Sequence, residues 1–221
     1  MSYLKTQRFQ ILPTVVKNIL IINGLLFLAT VTLSSQGIDL RGFLGLYHWK
    51  SDNFNTWQII SHMFMHGDFT HLFFNMFAVW MFGSQLENLW GSKRFLKYYL
   101  LTGLGAAILH FFIFHFYELP SFPINYQEIL ITKHLVLGAS GCLFGLLVAF
   151  GMLFPNTMLF FLFIPFPIKA KYFVIIYGLA ELYYGIQNNP ADNIAHFAHL
   201  GGMLFGFLII KYWQYTNKYH K

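Results

Sequence analysis

The chain has 221 residues, enough for one domain, and 57% of them are hydrophobic against 10% charged. A soluble domain carries about 25% charged residues, so this composition excludes an ordinary water-facing surface and points to a polytopic membrane protein. The formal charge of +6 is scattered over the ends of apolar runs, without an arginine-rich helix or a basic patch interleaved with aromatics, so nucleic acid is not an expected partner.

A spanning helix needs about 20 apolar residues. The first candidate covers about Val15 to Leu33, behind a segment of about residues 1–14 that holds Lys5 and Arg8. No small-x-small cleavage site follows it, so it is expected to be retained as a span. The connection from Ser34 to Phe69 carries Phe43, Leu44, Leu46, Tyr47, Trp49, Phe54 and Trp57, too apolar for a free loop. It is expected to lie at the membrane interface, partly helical, with its rings at headgroup depth. The second and third spans cover about Thr70–Leu89 and Phe95–Phe116. Between Tyr117 and Leu137, "LPSFP" breaks any helix at its prolines. The fourth span, about Ser140–Phe154, is short unless its start is sunk in protein. "PNTMLFFLFIPFPIKAKY" follows, apolar but proline-rich, and reads as a lipid-dipping turn rather than a seventh span. The fifth and sixth spans cover about Tyr172–Gly185 and Ile194–Tyr212, ahead of a tail of about residues 213–221.

The whole chain, 1–221, thus reads as one all-α membrane domain of six transmembrane helices with a large interfacial first loop. Placing both termini, the 2–3 loop and the 4–5 loop in the cytoplasm puts Lys5, Arg8, Lys17, Lys93, Arg94, Lys97, Lys169, Lys171, Lys211, Lys218 and Lys221 on that side. Only Arg41, Lys50 and Lys133 remain opposite, as the positive-inside rule requires. Cys142 is the single cysteine, which excludes an intramolecular disulfide and thiolate clusters.

Polar groups at membrane depth are costly and each needs a reason. In "HGDFTHLFFNMF", His71 and Asn75 are four apart and share a helix face, so two donors could converge on one anionic oxygen. In "LGASGCLFG", Gly138 and Gly141 flank Ser140 at a helix start, where free N–H groups could cradle an oxyanion. Taken alone, that stretch reads better as a capping serine plus the Gly141–Gly145 packing pair. "DNIAHFAHLGGMLFGF" changes the balance. Gly202 and Gly206 allow a close neighbour, and His199 lies three residues before Gly202, where it could act as a general base on Ser140. His196 sits one turn earlier and is expected nearer the surface. Asp192 is seven residues from His199 and poorly placed, so a serine–histidine dyad is expected rather than a triad.

Together, "HGDFTHLFFNMFAVWMFGSQLENLWGSKRFLKYYLLTGLGA", "LGASGCLFG" and "AHFAHLGGMLFG" resemble the rhomboid family of intramembrane serine proteases. The resemblance implies Ser140 as nucleophile and His199 as base, with His71, Asn75 and the Ser140 N–H stabilising the oxyanion. It implies supporting roles for His66, Gly83, Glu87, Gly91, Gly138, Gly141 and Gly202, with Glu87 tying the end of the second span to the first loop. It further implies a bacterial inner-membrane protein without metal or cofactor. Its site would open to the extracytoplasmic side, and its partners would be the bilayer and transmembrane protein substrates. The first loop lacks the Trp-Arg pair of many relatives, and Phe144 stands where some have a tyrosine packed on the base. A transporter using Asn75, Glu87, Glu181 and the histidines, and an inactive relative that only binds membrane proteins, are the alternatives. His62 and His66 have zinc-ligand spacing, but "HMFMH" lacks the glutamate of a metalloprotease helix.

Overall fold

The computed structural model describes residues 9–161, 164–187 and 194–216. Lys5, Arg8, Asp192, Lys218 and Lys221, named above, lie outside the described residues.

The apolar runs become helices close to their expected limits. Helix α1 is Thr14–Ser34, about 32 Å long. Its outer side exposes Ile21, Leu25, Leu28 and Val31, a surface suited to another apolar phase. The second run is a continuous rod: α4 (Phe69–Ala78), a π-helical turn (Val79–Gly83) and α5 (Ser84–Trp90). At the end of the π turn, Gly83 faces Phe95 and Val16 so closely that a Cβ would meet both at 3.1–3.2 Å. Helix α6 is Ser92–Ile113 and continues as a π turn to Glu118 and a 3-10 turn at Leu119–Ser121, where Pro120 ends it. Helices α8 (Ser140–Leu153), α9 (Ala170–Gln187) and α10 (His196–Tyr215) complete the set.

Helix α8 is the hub. Every residue from Gly141 to Gly151 is buried, and α6, α9 and α10 pack around it. Two glycine pairs set the α8–α10 spacing. A Cβ on Gly202 would overlap the Gly141 carbonyl oxygen, and one on Gly206 would sit 3.1 Å from Gly145 Cα. The two G-x-x-x-G motifs therefore face each other, one turn apart.

The first loop is ordered by its own hydrogen bonds. It contains α2 (Leu40–Leu44), α3 (Gln58–Ser61) and a 3-10 turn at His62–Phe64, so the expected partial helicity is present. Buried Gln58 accepts from the N–H groups of Tyr47 and Asn55 and donates to the Asn53 carbonyl. Trp49 and Trp57 remain about half exposed, at 45% and 46%.

Two short antiparallel pairings supplement the helical frame. Strand β1 (Leu46–Tyr47) pairs antiparallel with β2 (Leu135–Val136), which follows α7 (Ile124–Lys133) and precedes α8. The first loop is thereby fastened to the segment that delivers Ser140. Strands β3 (Met158–Phe161) and β4 (Ile164–Lys169) also pair antiparallel, so the proline-rich connection is an extended pair and not a seventh helix. Pro167 is tolerated because β4 is an edge strand.

Candidate active site

Ser140 is the first residue of α8, and Ala139, not Ser140, occupies the cap position. The capping role considered from sequence is therefore not the one seen. The N–H groups of the first turn have no acceptor within the helix, so those around Ser140 point out of its start. Gly138, two residues earlier, has φ +127°, a conformation that L side chains rarely adopt. A Cβ there would also lie 2.9 Å from His71 Nε2. Its N–H donates to the His62 carbonyl at 2.9 Å, fixing the approach to Ser140 from the first loop. Beside Ser140 is a cavity of about 20 Å³ bordered by His62, Gly103 and Ala198, room for about one water.

His199 approaches the first turn of α8 from α10. Its ring stacks on Phe144, with centroids 4.1 Å apart and planes 9° from parallel. Phe144 is one turn after Ser140, so the ring packing expected of this position is present without a hydroxyl. The Gly141–Gly202 contact makes the crossing of α8 and α10 tightest one residue after Ser140 and three after His199. Among the described residues no hydrogen bond joins Ser140 Oγ to His199 Nε2; such contacts often tighten only in a substrate complex.

His71 and Asn75 come from α4. Asp68 caps that helix by accepting from the His71 N–H at 2.8 Å, which sets its start. The His71 ring faces Gly138, close to Ser140. Buried Asn75 donates one amide hydrogen to the His71 carbonyl at 2.8 Å. That bond fixes the amide and leaves its second N–H as the one donor available elsewhere. His66 packs edge-on against His71 at 4.8 Å. Burial, with His71 adding to it and Asp68 opposing, pushes His66 down to about 3.

The support role inferred for Glu87 needs correction. Its carboxylate accepts from the N–H groups of Val15 and Val16 at 2.9 and 2.8 Å and from the Ser92 hydroxyl at 2.6 Å. It ties α5 to the starts of α1 and α6, not to the first loop. Glu87 is 16 residues after His71 on one rod, about 24 Å away, so it cannot reach that loop. Gly91 ends α5 with φ +75° and allows the turn into α6. Gly83, Glu87 and Gly91 thus form a separate cluster at the opposite end of the rod from Ser140.

Sequence reasoning weighed one residue beside His199 only as part of a transporter's polar pathway. Glu181, on α9, is buried, and its Oε2 lies 2.9 Å from His199 Nδ1 and 2.6 Å from His196 Nδ1. His196 is not nearer the surface; both histidines are 9% exposed. An acid inside "FVIIYGLAELYYGI" was the available signal, since a carboxylate in an apolar span demands a partner.

Residues 53–215 match the family model of the Rhomboid domain. The chain belongs to the rhomboid family. It is accordingly an integral membrane protein, and two of its helical stretches, Thr14–Ser34 and Ser92–Ser121, are long and apolar enough to cross a bilayer by length and composition. Rhomboid relatives occur in bacteria and in eukaryotes. YdcA of Bacillus subtilis (strain 168) is 27% identical over 94% of this chain and 94% of its own length. Rhomboid protease GluP of the same bacterium is 30% identical over 80% of this chain and 29% of its own. RHOMBOID-like protein 6, mitochondrial, of Arabidopsis thaliana is 28% identical over 75% of this chain and 47% of its own. The chain therefore spans less than half of the last two relatives.

Proposed function

We propose that this rhomboid protein is an intramembrane serine endopeptidase that cuts other proteins in or near their transmembrane helices. The observation that carries the reading is the close crossing of α8 and α10 at Gly141 and Gly202, next to Ser140 on one helix and one turn from His199 on the other, with His199 stacked on Phe144 of α8. A serine at the unpartnered start of a buried helix lies at the tightest point of that helix's crossing with the helix bearing a histidine, whose ring is held flat by Phe144. The names of relatives such as rhomboid protease GluP support the same class of activity.

In this reading a substrate helix unwinds locally and offers a carbonyl to Ser140. His199 Nε2 takes the hydroxyl proton as Oγ bonds to the carbonyl carbon. Charge then collects on the carbonyl oxygen, opposite the Ser140 N–H, the His71 ring and the second Asn75 N–H. Collapse of the tetrahedral species breaks the C–N bond and passes the proton from His199 to the leaving amine. A water, for which the cavity beside Ser140 has room, is then deprotonated by His199 and releases the acyl group. The membrane topology that goes with this has six spans, both termini in the cytoplasm of a bacterium and the start of α8 toward the extracytoplasmic side.

The test is cleavage of a transmembrane substrate in liposomes. Wild type should cut, while Ser140→Ala and His199→Ala should fall to background with unchanged helical content. Full activity in Ser140→Ala would remove the assignment.

A further inference from the structure

The environment of His199 contains more than a dyad requires. An imidazole acting as base on Ser140 must keep its Nε2 lone pair toward the hydroxyl, with its proton on Nδ1. Stacking on Phe144 fixes the plane of the ring but leaves the choice of tautomer open. Glu181 decides it. An ionised carboxylate only accepts hydrogen bonds, so an oxygen 2.9 Å from His199 Nδ1 requires the proton on that nitrogen. His196 Nδ1 at 2.6 Å donates to the same oxygen. Two N–H groups on one buried oxygen satisfy the anion well enough to hold it away from water. Tyr184 stacks on the His196 ring and keeps this second donor in place.

We propose that Glu181 is a positioning residue that completes a serine–histidine–glutamate triad, with His196 as the carboxylate's second donor. Glu181 fixes the His199 tautomer and faces the imidazolium once Ser140 has given up its proton. The serine proton moves to Nε2 and later to the leaving amine, while the Nδ1 proton stays on His199 and Glu181 stays ionised throughout. Glu181 approaches His199 from α9, on the Nδ1 side, away from the nitrogen that serves Ser140. Its effect should therefore appear in kcat and not in KM.

The same three side chains, Glu181, His196 and His199, are close enough to hold a metal ion. That arrangement would need lone pairs on both Nδ1 atoms and would put the His199 proton on Nε2, the atom that must accept from Ser140. The observed separations are also those of hydrogen bonds.

The proposal rests on the serine-protease reading, and the test separates the two. Wild type and Ser140→Ala first establish serine-dependent cleavage in liposomes. Glu181→Gln should then lower kcat about 100-fold, with KM within about twofold, and Glu181→Asp should recover part of that loss. Chelation with EDTA should leave wild-type cleavage unchanged. A second measurement needs no turnover. In ¹⁵N-histidine spectra, wild-type His199, assigned through His199→Gln, should carry its proton on Nδ1, and Glu181→Gln should shift it toward a mixture of tautomers. Wild-type kcat in a folded Glu181→Gln, an unchanged His199 spectrum in that variant, or cleavage lost on chelation and restored by zinc would each overturn the triad. The first two outcomes would leave serine-dependent cleavage intact.

Discussion

Gly202→Ala isolates the helix crossing on which the site depends. The added Cβ would overlap the Gly141 carbonyl oxygen, which belongs to backbone and cannot swing aside. Restoring an ordinary contact requires α8 and α10 to part by about 1.5 Å, since heavy atoms settle near 3.5 Å. Overpacking of this kind costs about 1–3 kcal/mol, and replacing a helical glycine by alanine returns about 1 kcal/mol. The net destabilisation is therefore about 0–2 kcal/mol, a fall in Tm of a few degrees for a domain this size. Catalysis should respond far more strongly. Parting the helices moves His199 from Ser140, and a misplacement of about 1 Å can cost 100-fold in rate. Liposome cleavage and thermal unfolding, measured on one preparation, give both numbers. Gly24→Ala is the control, because nothing lies within 4 Å of a Cβ there and the same propensity gain comes without the clash. Wild-type turnover in Gly202→Ala would refute the claim that this contact sets the site.

Glu87→Gln should act on stability alone. It removes the charge from an acceptor of two α1 N–H groups and the Ser92 hydroxyl, worth about 1–3 kcal/mol, so Tm should fall while kcat in the surviving folded protein is retained. The pH dependence of stability should carry the mark of His66. Burial holds it at about 3 in the folded protein, below the roughly 6.5 of an unfolded chain. Below about pH 6.5 the unfolded chain takes up a proton that the folded chain refuses, so stability is lost as pH falls toward 3, at up to about 1.4 kcal/mol per pH unit. Between pH 7 and 5 this amounts to about 2 kcal/mol, and His66→Met should flatten unfolding curves over that range by the same amount. An unaltered slope would show that His66 is not held neutral by burial.

The helices were legible because each apolar run is bounded locally. Thr14 follows Pro13, Trp90 precedes a glycine with positive φ, and Ser140 begins a run of buried residues. The proposed catalytic pair was legible because each member stands beside glycines, and those glycines turn out to face each other. What the sequence hid was pairing at long range. The two residues of β1 find β2 some 90 positions later, and nothing in "LY" or "LV" announces it. Glu87 was assigned the wrong partner because its true donors are 71 and 72 residues earlier. Glu181 was noticed only as a polar group in a span, and Asp192 was weighed instead because it is nearer to His199 in sequence.

The two buried glutamates follow one rule. Most polar side chains inside these helices settle their hydrogen bonds on their own backbone. Asn23, Thr30, Asn75 and Thr102 each donate to the carbonyl four residues earlier. A carboxylate cannot do this, because it has no hydrogen to give and every N–H in the middle of a helix is already committed. A buried glutamate must therefore find donors on another element. Only two kinds exist at that depth: the free N–H groups at a helix start, and side chains that carry a proton. Glu87 takes the first solution with Val15 and Val16, and the result is a structural tie. Glu181 takes the second with His196 and His199. Backbone N–H groups hold their protons permanently. An imidazole accepts a proton at Nε2 while keeping the one at Nδ1. The same acceptor chemistry therefore fastens a helix at one end of the protein and, in the proposed triad, bears on proton transfer at the other.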